Sequence, residues 1–143
     1  TVKLTSRGGK VVYAENSISA DTKDWQKYIV TLTPAQDNAD AERMLRSLSG
    51  SIHKVVTGVT LRTAEQTISF SAESLVSFCT LEDEEICYYI EKYRPLDKAG
   101  AYGIQEWIGY VGIEGIEGSF YNVMGLPVQR VYCELKEFVG LGE

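Results

Sequence analysis

Val55-Val56-Thr57-Gly58-Val59-Thr60-Leu61 and Ile68-Ser69-Phe70-Ser71-Ala72-Glu73-Ser74-Leu75-Val76-Ser77-Phe78 decide the fold. β-Branched and aromatic residues crowd both segments, which suits a pleated, half-buried surface. The link between them, residues 62–66, is short. A short link joins antiparallel strands, whereas parallel partners need a long crossover. The stretch predicts a β-hairpin.

N-terminal to the hairpin, residues 1–17 read as a β-ribbon around the turn signal Arg7-Gly8-Gly9-Lys10. Tyr28-Ile29-Val30-Thr31-Leu32 is a further strand candidate. Thr33-Pro34 then opens a predicted helix, with proline at the first helical position. Ala39, Met44, Leu45 and Leu48 form its apolar stripe, and Gly50 is its stop. C-terminal to the hairpin, Thr80-Leu81-Glu82-Asp83 resembles a capping box. The helix it opens runs through Ile86, Tyr89, Ile90 and Tyr93 and ends before Pro95. Residues 95–106 read as a loop. Residues 107–112 and 119–123 read as strands joined by a glycine-rich link, and Pro127 opens a last helix through Val131, Leu135 and Phe138. With no repeat and no linker, residues 1–143 make one domain of α/β (or α+β) class with a mixed sheet.

Bulk properties narrow the function classes. A chain of 143 residues buries roughly two-thirds of its unfolded surface and needs no disulfide or metal to hold a core. Its net charge of −6 argues against a nucleic-acid polymer as partner, because phosphates are repelled. No apolar run reaches the roughly 20 residues of a membrane span. Thr1–Arg7 has no apolar signal-peptide core, so the expected location is cytoplasmic. Cys79, Cys87 and Cys133 are odd in number and lack zinc spacing, so they are expected as reduced packing residues. His53, the single histidine, is expected in a structural hydrogen bond.

Chemistry concentrates in three places. In Asp97-Lys98-Ala99-Gly100-Ala101-Tyr102-Gly103-Ile104-Gln105, Gly100 and Gly103 allow close backbone approach, so their amides could cradle phosphate oxygens. Lys98 there can neutralise phosphate charge. Gln105 offers a donor and an acceptor, as reading a base edge requires. The plain alternative is a tight surface turn. In Glu117-Gly118-Ser119-Phe120-Tyr121-Asn122-Val123-Met124-Gly125-Leu126-Pro127, glycine precedes a helix start; the alternative is an ordinary junction in which Asn122 bonds its own turn. In Ser19-Ala20-Asp21-Thr22, a carboxylate followed by a hydroxyl could bind Mg²⁺ or orient a water, or simply form a solvated turn.

Four segments stand in order along the chain: Ala41–Gly50, His53–Val59, Asp97–Gln105 and Glu117–Pro127. Together they resemble the Maf family of nucleoside triphosphate pyrophosphatases, also called septum formation proteins. The likeness is strong over 39–138, weaker over 18–38, and residues 1–17 are unmatched. The Ala101-Tyr102-Gly103-Ile104-Gln105 wording resembles the branch acting on dTTP and UTP. The resemblance implies a fold with a ligand cleft, cleavage between the α- and β-phosphates to the monophosphate and pyrophosphate, a divalent cation (Mg²⁺ or Mn²⁺), and often a dimer. It assigns Asp21 as the catalytic acid and metal ligand, and Thr22, Lys98 and Gln105 to substrate. That cleft requires the loop around Gly100 to face Asp21.

The departures bear on activity. The family's Ser-Pro-Arg-Arg grip has no counterpart here, nor does the lysine of its next helix, and its Gly-Lys-Pro reads Leu32-Thr33-Pro34. Each charge-assisted bond missing from a triphosphate costs roughly 1.5–3 kcal/mol. Two readings stand: an active pyrophosphatase, divergent or truncated, or a degenerate scaffold that binds nucleotide or a protein partner.

Overall fold

The computed structural model describes residues 34–140 and the backbone of two strands, 2–6 and 11–14. The predicted hairpin is its centre. Strand β3 (Ile52–Arg62) and strand β4 (Thr67–Phe78) pair antiparallel along their whole length, Val55 opposite Ser74 and Arg62 opposite Thr67. The predicted ribbon is also present: β1 (Val2–Ser6) pairs with β2 (Val11–Ala14) on one side and with β3 on the other. With β5 (Ile113–Glu117) on the far edge, the order is β2-β1-β3-β4-β5. A mixed sheet was the expectation. Every described pairing is antiparallel, and the strand expected at Tyr28–Leu32 lies outside the described residues.

One face of the hairpin is buried: His53, Val55 and Thr57 on β3 and Ser74, Val76 and Phe78 on β4. Alternation with period two puts all six on one side. Helix α1 (Asn38–Leu48) packs against α2 (Asp83–Tyr93). Leu45, Leu48, Ile86 and Ile90 from this pair join the core.

Helix α1 starts later than the sequence suggested. Asp37, not Pro34, ends the approach: its Oδ1 accepts from the Asp40 amide at 2.8 Å, satisfying an orphan donor of the first turn. Gly50 stops the helix as expected, at φ 63. For α2 the cap is Glu82 rather than Thr80, with the Glu82 amide donating to Glu85 Oε2 at 2.8 Å. Arg94 turns left-handed at φ 45, and Pro95 bars continuation.

The largest correction falls on 107–124. The sequence suggested strand, glycine-rich link, strand; the structure has helix α3 (Trp107–Val111), strand β5 and helix α4 (Phe120–Met124). The open edge of β4 decides it, taking Ile116 opposite Val76 and Gly115 opposite Ser77. Gly118, at φ 112, then turns the chain where a Cβ would stand 2.8 Å from Glu73 O. Ser119 caps α4, accepting from the Asn122 amide at 3.3 Å. Helix α5 (Val128–Phe138) follows Pro127, as predicted, and buries none of its residues. Among the described residues no helix is long and apolar enough to cross a membrane.

Candidate functional site

Two 3-10 turns, Pro95–Asp97 and Ala99–Ala101, shape the loop that the sequence singled out. Gly100 and Ala101 both lie in the left-handed region, at φ 73 and φ 58. A non-glycine residue there costs on the order of 1 kcal/mol and persists only where surroundings enforce it. Ala101 is wholly buried, and that burial holds it.

Lys98 is not a free cation. Its Nζ stands 3.0 Å from Glu106 Oε1 and 3.1 Å from Asp97 Oδ1. Partial burial of the lysine works to lower its pKa, but the hydrogen bonds to Glu106 and Asp97 outweigh it, leaving the ammonium above the usual lysine value. Reciprocally, the bond from Lys98 lowers the Asp97 carboxyl. An ammonium has three donors, so one remains for a further acceptor.

The second oxygen of Glu106 accepts from the Tyr89 hydroxyl, and that hydroxyl accepts from the Gly103 amide at 3.0 Å. Burial pushes the Tyr89 phenol well above its ordinary value, and the Glu106 bond adds to the effect. This corrects the phosphate-cradle reading of Gly103, whose amide is already engaged. Glycine at 103 leaves room for Glu106: a Cβ would stand 2.8 Å from Glu106 Cδ and the side chain would have to shift.

Gln105 is exposed and borders a shallow recess of ≈ 390 Å³ with Ile104, Tyr110, Ile116 and Phe120. The lining is mainly apolar and aromatic, with an amide at its edge, the composition of a small-molecule site. Lys98 and Gln105 therefore share one loop, joined through Glu106. Asp21 and Thr22 lie outside the described residues.

His53 behaves as expected. Its Nε2 is 2.8 Å from the Tyr102 hydroxyl, and its ring meets those of Phe78 and Tyr102 at 5.6 and 5.5 Å. Burial depresses the imidazole to about 4, so it is neutral at pH 7. Burial likewise raises the Tyr102 phenol. Asn122 does more than bond its own turn. Fully buried, its Nδ2 donates to Ser74 Oγ at 3.0 Å and Ala72 O at 3.2 Å, fastening α4 onto the sheet. Of the cysteines, Cys79 packs beside the core; Cys87 and Cys133 are exposed, contrary to expectation.

Sequence reasoning missed Glu106, Tyr89 and the fastening role of Asn122. Tyr89 read as one residue of an apolar helical stripe, and Glu106 as a loop carboxylate; neither identity signals a partner 17 positions away. Among the described residues no three His, Cys, Asp or Glu side chains gather in one place. Asp21, the assigned ligand of a divalent cation, lies outside the described residues; a magnesium ion at a nucleotide site needs only one or two carboxylates beside the substrate phosphates.

Comparison with known proteins adds a family. A model described as Maf-like protein matches residues 5–138. A dTTP/UTP pyrophosphatase of Parabacteroides distasonis is 56% identical over 121 residues, covering 85% of this chain and 62% of that protein. One of Porphyromonas gingivalis is 63% identical over 103 residues, covering 72% and 52%. One of Phocaeicola vulgatus is 56% identical over 120 residues, covering 84% and 62%. The chain thus spans only about half to three-fifths of the length of these relatives.

Proposed function

The chain belongs to the Maf family, and on that premise we propose that it takes part in nucleoside triphosphate pyrophosphatase activity, hydrolysing dTTP and UTP to the monophosphate and pyrophosphate. The observation that carries the reading is the loop 97–106. It holds Lys98, its ammonium oriented by Glu106, and an exposed amide, Gln105, at the edge of an apolar recess. A pyrimidine base has an edge for that amide and a face for that recess, while a polyanionic chain needs the ammonium.

In this reading Lys98 takes a phosphate oxygen, and Gln105 with Thr22 selects the base. Asp21 orients the attacking water by accepting its proton, so that the oxygen is aligned with the bond to be broken. A divalent cation, Mg²⁺ or Mn²⁺, with Asp21 among its ligands, would offset the phosphate charge. The reading includes a homodimer acting in the cytoplasm on a small nucleotide, not on a nucleic-acid polymer or a membrane. The net charge of −6 supports the exclusion of a polymer.

The test is pyrophosphate release from dTTP and UTP with Mg²⁺, comparing the protein with its Asp21→Asn variant. Turnover that the substitution removes, by about a hundredfold or more, supports the enzyme. Binding of dTTP without pyrophosphate supports the degenerate binder, the reading favoured by Leu32-Thr33-Pro34 standing where the family carries Gly-Lys-Pro.

A further inference from the structure

Lys98 reaches two carboxylates, and they are not equivalent. Asp97 is its neighbour in sequence and 78% exposed, a solvated partner that constrains little. Glu106 is 18% exposed and fixed at both oxygens. One oxygen takes the Lys98 ammonium; the other takes the hydroxyl of fully buried Tyr89, which in turn holds the Gly103 amide. The carboxylate is seated over Gly103, where a Cβ would stand 2.8 Å from Glu106 Cδ and push the carboxylate aside. A lysine stem left to itself samples many rotamers and loses that freedom when it grips a ligand. Here the freedom is already spent, and two of three ammonium donors are used.

We propose that Glu106 is a positioning residue: anchored through Tyr89 to the Gly103 backbone, it holds Lys98 so that the remaining ammonium donor meets a phosphate oxygen of the incoming nucleotide. The inference rests on the pyrophosphatase reading and deepens it. Glu106 touches no substrate and acts through Lys98.

The experiment is a double-substitution cycle on the full protein, with Glu106→Gln, Lys98→Met and both, assayed with dTTP and Mg²⁺. Glu106→Gln keeps the shape and an acceptor for Tyr89 but removes the charge. It should raise KM by roughly tenfold with a much smaller change in kcat, since ground-state binding is what is lost. Glu106→Asp, which keeps the charge, should recover part of that loss. In the Lys98→Met background, Glu106→Gln should have little further effect, because the two act as one unit. Effects that multiply, or a KM that falls in Glu106→Gln, overturn the inference; the second result would make the carboxylate a competitor of phosphate. Without nucleotide, the NMR titration midpoint of the Lys98 ε-carbon should drop in Glu106→Gln, and an unchanged midpoint overturns the inference as well. A wild-type protein that neither binds nor cleaves dTTP or UTP removes the pyrophosphatase reading, and this inference with it. Active wild type with multiplicative effects removes this inference alone.

Discussion

Helices α1 and α5 have the same length and the same kind of one-sided apolar pattern, yet one is core and the other is not. α1 buries Ala41, Leu45 and Leu48 against α2 and the turn at 99–101. α5 buries nothing. It meets the hairpin at its tip, where Gln66 Nε2 donates to Phe138 O at 2.7 Å and the Arg130 guanidinium lies 5.5 Å from the Phe70 ring centroid. α1 has a side-chain cap, and α5 begins at Pro127 with none. An amphipathic pattern states that a helix has a face to cover; it does not state that the fold supplies the cover.

The widest expected gap is in stability. Leu45 is fully buried, so Leu45→Ala should cost about 2–5 kcal/mol of unfolding free energy by denaturant titration, the transfer loss plus the cavity left behind. A cost below about 1 kcal/mol would erase the difference between the two helices.

Acid should sharpen the same contrast from the packed side. His53 sits in the buried face, joined to Tyr102. Its imidazole titrates near 6.5 in the unfolded chain and at about 4 when folded. Between those values the unfolded state binds more protons. The contribution is therefore intact above pH 6.5 and lost as pH falls towards 4, reaching ~3 kcal/mol. Denaturation midpoints measured from pH 7 to pH 4 should fall steeply in the wild type. They should fall less in His53→Phe, which lacks the titrating ring; parallel slopes would remove His53 from the account.

Which parts were legible follows the range of the forces involved. The hairpin could be read because alternation along Val55–Leu61 and Ile68–Phe78 is local, and α2 because Ile86, Tyr89 and Ile90 repeat at helical spacing. Residues 107–124 could not. Trp107, Ile108, Tyr110 and Val111 favour strands by local preference, and two glycines interrupt 113–118, but the free edge of β4 recruits the glycine-containing segment. Likewise Lys98 and Gln105 stood out through a motif, while the Glu106–Tyr89 pair that organises them joins a loop to a helix. Such a contact has no signature along the chain.

The smallest effect is the most instructive about α5. Leu135 is 42% exposed, Tyr132 62% and Val139 52%, together lining an open apolar groove with Lys136. Leu135→Ala should then change stability by no more than about 0.5 kcal/mol, as exposed positions usually do. An eleven-residue helix is marginal by itself in water. Contacts with the hairpin through Gln66 and Arg130, with Val131 and Phe138 half-buried, are what α5 has in place of a buried stripe. A loss of about 2 kcal/mol for Leu135→Ala that grows with protein concentration would reverse that conclusion, because concentration enters only when a second molecule covers the stripe.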